Sequence, residues 1–300
     1  MSGGGAMSGG GVVSGPLENL RIGCVRYLNA RPLIVAHEGP VVMAHPSELA
    51  AQIAKGQLDA GLVPVYEALG GREYLMVDGV GIGCEGAVYS VYLAHRGPLE
   101  EVREVVLDAG SCTSVQLLRV LLAEFHGMRP RWRQGRRDTV DTVDTMDDMD
   151  DMDDMDDMDD MDGGECVDGG PGAARLLIGN QAIDFRLGAP EGWHFLDLGE
   201  EWLRCTGLPF VFALWMLRAD LPRVKEVAAA FRELGRRGLE RIGQIVDGEN
   251  FHTREFRLRY LTEHIRYGLG EREKAGVELF RELLVKHGCA PRGVGALRWV

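Results

Sequence analysis

Residues 46–69 read PSELAAQIAKGQLDAGLVPVYEAL. Ser47 is placed to N-cap a helix whose apolar Leu49, Ala50 and Ile53 share one face, and Gly56 to end it. Leu58 to Val63 then reads as a strand, and Pro64 as the opening turn of a second helix. Helix, strand and helix in so short a span set the pattern for the rest. Further strands are expected at 20–25, 86–95, 105–107, 175–179 and 209–217. Further helices are expected at 113–125, 222–246, 250–267 and 271–287. Alternation of this kind predicts an α/β fold with mainly parallel sheets, in which ligands gather where strands end and helices begin.

Composition narrows the class. The chain has 300 residues, 45% of them hydrophobic, enough for two ordinary domains or one two-lobed domain. Its net charge of −13 comes from one stretch, 138–168, which holds fifteen Asp and one Glu and no basic residue. Without it the balance is 33 basic against 30 acidic residues (46 less those 16), so bulk charge names no partner. Within that stretch Met recurs every third residue from 146 to 161, between paired aspartates. Such a repeat cannot pack a core, and 138–170 is expected to be a disordered surface insertion rather than a cation store.

Other classes fall away. The six cysteines, 24, 84, 112, 166, 205 and 289, form no CxxC pair, and the eight histidines no HExxH, so neither a metal nor a disulfide framework is expected. The opening residues, MSGGGAMSGGGVVSGPLENL, lack a charged and then apolar leader and read as a flexible tail over 1–19. A cytoplasmic chain with reduced thiols follows. No run approaches the roughly 18 apolar residues of a membrane span. The basic cluster RPRWRQGRR, 129–137, is not interleaved with aromatics in a nucleic-acid pattern and abuts the acidic stretch, with which it can pair. P-loop, nucleophile elbow and dinucleotide fingerprint are missing, and the glycines of GVGIGCEGA, 79–87, make only a weak phosphate loop.

Several strand ends carry candidate chemistry, each with a plain alternative. In CVRYLNARPL, 24–33, Asn29 follows a strand; it is either a turn residue or an amide facing a cleft. In DAGSCTSVQLL, 108–118, Ser111, Thr113 and Ser114 either cap a helix or seat a carboxylate or phosphate at its N-terminus. Ser90 stands among bulky strand residues, facing a cleft or solvent. Asn180 follows another buried strand. In TGLPFVFALWMLR, 206–218, Thr206 and Phe210 line a pocket or the core, and Trp202 and Trp215 read as core. His95 and His194 have no evident partner.

Taken together, the segments IGCVRYLNARPL, LAAQIAKGQLDAGLVPVYEAL, GAVYSVYLAHRGPLEEVREVVLDAGSCTSVQLLRVLL, ARLLIGNQAI, DLGEEWLRCTGLPFVFALWMLR and YLTEHIRYGLGEREKAGVELF resemble the chorismate dehydratase family of the futalosine route to menaquinone. The resemblance runs over about residues 20–284, apart from the insertion. It implies a two-lobed, periplasmic-binding-protein-like (type 2) fold with the ligand cleft between lobes. Lobe one is expected to hold 20–94 and 207–300, and lobe two 95–206. It further implies loss of water from chorismate to give 3-enolpyruvyl-benzoate, with no cofactor and no metal. Asn29 and Ser90 fall on motif positions implied to be active-site residues. Ser111, Thr113 and Ser114 are implied substrate binders, with Asn180, Thr206 and Gly207 as weaker ones. The chain departs from the family's usual pattern at Gly86-Ala87-Val88, at Asn180 and in the small Ala109-Gly110-Ser111-Cys112 loop. The expected partner is chorismate, not nucleic acid or membrane, on a monomer or homodimer. A non-catalytic small-carboxylate binder and the sister enzyme that forms the dihydroxynaphthoate ring are the rival readings.

Overall fold

The computed structural model describes residues 15–70, 73–107, 112–135 and 172–300. The insertion expected at 138–170, Ser111 and most of the expected N-terminal tail lie outside the described residues. Strands run at β1 Ile22–Cys24, β2 Val41–Met43, β3 Ala60–Pro64, β4 Tyr74–Cys84, β5 Val91–Arg96, β6 Glu104–Leu107, β7 Arg131–Gln134, β8 Ala173–Ile178, β9 Trp193–Asp197, β10 Phe210–Arg218 and β11 Arg266–Gly268. Helices are α1 Pro46–Ala54, α2 Val65–Gly70, α3 Cys112–Val120, α4 Gly179–Gly188, α5 Leu198–Thr206, α6 Val224–Leu239, α7 Ile242–Gly248, α8 Arg254–Arg259 and α9 Glu271–Lys286.

The described strands make two sheets, one ordered β11-β4-β10-β3-β1-β2 and one β7-β6-β8-β5-β9. Both are mixed, which corrects the expectation of mainly parallel pairing. β1 pairs parallel with β2 and β3, and β6 with β7 and β8, whereas β10, β4, β11, β5 and β9 pair antiparallel. The parallel part of each sheet is the helix-connected part; the antiparallel part is formed where the chain crosses from one sheet to the other. It crosses over 85–90 and returns over 207–209. The boundary expected at 94/95 therefore falls inside β5, all of whose partners belong to the second sheet.

Local reasons explain most boundaries. Pro46 opens α1 at its first turn, where its missing N–H costs nothing, and His45 rather than Ser47 is the residue before it. Leu49 and Ile53 are buried beneath that helix, and Gly56 (φ +67°) ends it. Pro64 closes β3 instead of opening α2. The glycines of 79–87 belong largely to β4: side-chain carbon on Gly83 would stand 2.6 Å from the Phe210 carbonyl oxygen of β10. They allow strand approach, not phosphate binding. The single helix expected at 250–267 is α8, a π-helical turn Tyr260–His264, and β11. The helix expected at 113–125 likewise ends in a π turn, Leu121–Phe125.

One apolar cluster serves both sheets. It joins Ile22, Leu62 and Trp215 on one side to Leu93, Val105 and Leu176 on the other, through Leu117 of α3, Trp202 of α5 and Phe280 of α9. Trp202, Phe210 and Phe280 meet edge to face at 5.1–6.0 Å, and the Trp202 indole N–H donates to the Pro209 carbonyl at 3.2 Å. His95 and His194 are not solitary: paired across β5 and β9, their rings stack at 5.5 Å.

Candidate active site

Past β1 the backbone tightens into a 3-10 turn, Leu28–Leu33, with Pro32 inside it. Leu28, Ala30 and Leu33 go into the core, which leaves half-buried Asn29 on the side facing the other sheet. Its Nδ2 donates to the Tyr260 hydroxyl at 3.3 Å, and that hydroxyl donates to Ser90 Oγ at 2.8 Å. Ser90 is 1% exposed and Tyr260 2%. Burial pushes the Tyr260 phenol up to about 12, against the smaller opposing pull of the Ser90 and Asn29 hydrogen bonds. Across the ordinary pH range it is a neutral hydroxyl.

Ser90 sits on the first crossing between sheets, and a buried carboxylate fixes that crossing. Asp197 Oδ1 accepts from the Val88 N–H (3.0 Å), and Oδ2 from the Tyr89 N–H (2.8 Å). The same carboxylate caps α5 through the Gly199 and Glu200 N–H groups and meets Arg186 at 3.3 Å. Tyr89 is held at φ +68°, a left-handed conformation costly for a non-glycine residue, with the Arg186 guanidinium 4.3 Å above its ring. His264, on the π turn, meets the Ala87 carbonyl at 3.0 Å. The Ser90 carbonyl accepts from the Gly179 N–H at 2.8 Å, tying the serine to the start of α4.

Asn29 and Ser90 both open on a cavity of about 100 Å³ between the sheets. Thr113 and Ser114, at the first turn of α3, line its far side, and both are 4% exposed. The Thr113 hydroxyl accepts from the Tyr66 N–H at 3.2 Å, a bond that joins α2 of one lobe to α3 of the other. Leu62, Ile82 and Phe212 give the cavity an apolar floor, and every described side chain lining it is uncharged. Among the described residues no group of three or more His, Cys, Asp and Glu is placed to hold a metal ion.

The structure thus brings Asn29, Ser90, Thr113 and Ser114 together and sets three other candidates apart. Asn180 is exposed, one residue beyond the cavity-lining Gly179. Thr206 and Gly207 do not line the cavity: they end α5. The Thr206 hydroxyl donates to the Trp202 carbonyl (2.7 Å) and accepts from the Leu208 N–H (3.1 Å), and Gly207 takes φ +70°. Phe210 is core, 1% exposed. Sequence reasoning missed two residues. Tyr260 lies on a π turn, which no 3.6-residue periodicity reveals. Asp197 was marked by a signal: an Asp ahead of a helix with Glu200 three residues on is an N-cap pattern.

A protein family described as menaquinone biosynthesis matches residues 20–149 and 154–286. The chain is 31% identical over 285 residues to a chorismate dehydratase of Thermus thermophilus, covering 88% of this chain and 94% of that protein. Among solved structures it is similar to a protein of Archaeoglobus fulgidus (TM-score 0.63, 15% identity, 90% of this chain and 97% of that one). It is also similar to the periplasmic aliphatic sulphonate binding protein of Escherichia coli (TM-score 0.56, 13% identity, 92% and 95%). A third, from Candida albicans, is described as having the generic periplasmic binding protein fold (TM-score 0.53, 9% identity, 92% and 97%). At these identities the structures speak to fold alone, and they match the two-sheet, two-crossing architecture of a periplasmic-binding-protein-like α/β protein. With a family match over most of its length and a relative aligned over most of both chains, this chain belongs to the menaquinone biosynthesis family.

Proposed function

We propose that the chain removes water from chorismate to give 3-enolpyruvyl-benzoate, acting as a cytoplasmic lyase of the futalosine route to menaquinone. The observation that carries this reading is one cavity in which Asn29, Ser90 and the N-terminal turn of α3 converge among uncharged side chains. The substrate has two carboxylates and a ring hydroxyl. Thr113, Ser114 and the α3 N-terminus suit one carboxylate; the start of α4 at Gly179, where no side chain caps the helix, opens on the same cavity. Asn29 and Ser90 are within reach of a hydroxyl placed between them.

The elimination asks little more of the protein. The C–H electron pair on the ether-bearing ring carbon becomes the new ring double bond as the C–O bond on its neighbour breaks. The proton goes first to the substrate's own side-chain carboxylate, and the hydroxyl departs as water with an equivalent proton. Aromatisation drives the step, so positioning and hydrogen bonding to the leaving oxygen are the protein's share. Among the described side chains that line the site none is a strong base, which suits a substrate that carries its own.

The test is to incubate the purified protein with chorismate and a chelator, without nucleotide, and follow products by chromatography and mass. Enzyme-dependent loss of one water, strongly slowed but still measurable in Asn29→Ala and Ser90→Ala, is the expected result. Full turnover by both variants would remove them from the site. Tight binding without turnover would instead favour a carboxylate-binding protein, and neither binding nor turnover would favour the sister ring-forming enzyme.

A further inference from the structure

Tyr260 opens one of the segments that resemble the family, but its sequence position gave it no role in the site. It lies behind Asn29 and Ser90 rather than in the cavity lining, and it touches both. Its ring is held in place by Phe256, which stacks on it at 6.1 Å and 6°. The π turn that begins at Tyr260 also delivers His264 to the Ala87 carbonyl, so one turn braces both the serine and the segment leading to it.

The directions of the two bonds matter more than their number. An amide NH₂ only donates, so the Tyr260 oxygen accepts from Asn29 Nδ2. A neutral phenol has a single proton, and here that proton is directed at Ser90 Oγ. The Ser90 oxygen is therefore an acceptor toward Tyr260, and its own proton stays available for another partner. Asn29, with Nδ2 engaged, has Oδ1 turned away from Tyr260. Burial keeps the phenol protonated well above neutral pH, so this arrangement persists through neutral pH.

We propose that Tyr260 is a positioning residue for the elimination: it fixes the direction of hydrogen bonding so that Ser90 presents its proton, and Asn29 its carbonyl oxygen, to the ring hydroxyl that leaves. This rests on the dehydratase reading above. Tyr260 touches no substrate; it acts through Ser90 and Asn29. Without it the serine hydroxyl is free to rotate, and its proton is no longer committed to the leaving oxygen.

Tyr260→Phe keeps the ring and removes only the hydroxyl. Its kcat is expected to fall about ten- to thirtyfold, the worth of one buried hydrogen bond, with KM changed less than about threefold. In a Ser90→Ala background the same change should cost less than about twofold, because the group it acts through is gone. Phe256→Leu, which loosens the ring without touching the hydroxyl, should lower Tm and leave kcat within about threefold. Asn29→Asp is a second, independent variant. A carboxylate only accepts, so Tyr260 would donate to it and accept a hydrogen bond from Ser90 in turn, leaving a protein as slow as Ser90→Ala with the serine still present.

An unchanged kcat in Tyr260→Phe would overturn the proposal. So would an equal loss in both backgrounds, or a kcat that merely follows Tm in the Tyr260 and Phe256 variants. Should Tyr260→Phe fail to fold, Asn29→Asp decides alone, and wild-type-like turnover there overturns it. Failure of the wild-type protein to turn over chorismate would strike the dehydratase reading itself, a result distinguishable from all of these.

Discussion

Replacing Asp197 by Asn tests the idea that a buried carboxylate, not the strand pattern, places Ser90. The substitution is isosteric. The amide oxygen can keep the Val88, Gly199 and Glu200 N–H groups now on Oδ1. The amide NH₂ then faces the Tyr89 N–H and the Arg186 guanidinium, two donors against a donor. Asp197 is 2% exposed, so water cannot rescue them. Hydrogen bonds to a charged group are worth about 1.5–3 kcal/mol each, and breaking a buried pair costs about 3–5 kcal/mol, so a loss of about 3–5 kcal/mol is expected. At roughly 2–3 °C per kcal/mol for a chain of this size, Tm falls by roughly 6–15 °C. Tyr89, no longer held at φ +68°, relaxes toward negative φ and carries Ser90 with it. The kcat should therefore fall at least about tenfold, beyond what a destabilised but still folded protein would show. Urea denaturation reads the first effect through its midpoint at constant slope; chorismate turnover well below the new Tm reads the second. A loss under about 1 kcal/mol would refute the energetic argument. A full loss of stability with unchanged kcat would refute the claim that Asp197 positions the serine.

Two further tests reach other supports of the site. Gly238→Ala would ordinarily favour a helix by about 1 kcal/mol. Here a side-chain carbon would overlap the Pro32 carbonyl oxygen of the turn bearing Asn29, so both stability and turnover should drop; a gain in Tm would show that α6 does not brace that turn. Glu201, a buried residue of α5, has its carboxyl held below the usual range chiefly by Arg204, with His126 adding to it. A carboxylate with a lowered folded pKa stabilises above its unfolded value and loses that contribution as pH falls. Glu201→Gln should therefore lower Tm at pH ~7 and make little difference at pH ~3, and an equal difference at both would contradict the assignment.

What the sequence made legible follows from where local chemistry and final geometry agree. The α1–β3 unit was readable because Leu49, Ile53 and the β3 run answer to one core, and Gly56 stops the helix as expected. Asn29 and Thr113 were readable as candidates because they stand at a strand end and a helix start, where an α/β fold puts its clefts, and Ser90 because it is a small polar residue among bulky ones, though it lies just before β5 and not inside the strand expected at 86–95. The parallel pairing was misjudged because β4 and β10 are long antiparallel partners, and the glycines of β4 look like loop residues in one dimension. Thr206 and Gly207 were misplaced because a Thr-Gly-Leu-Pro turn reads the same whether it lines a pocket or closes a helix. Tyr260 was hidden by the π turn, since a side chain that shifts one place around a helix breaks the spacing that would announce it.

The apolar cluster that joins the two sheets has a consequence for how the molecule comes apart. Trp202, Phe210 and Phe280 are buried between elements of both lobes, so neither sheet keeps its inner face covered once the other is lost. The lobes are halves of one cooperative unit with a notch cut into it. A core substitution on either side, however far from the notch, is borne by the whole chain and shortens the lifetime of the site.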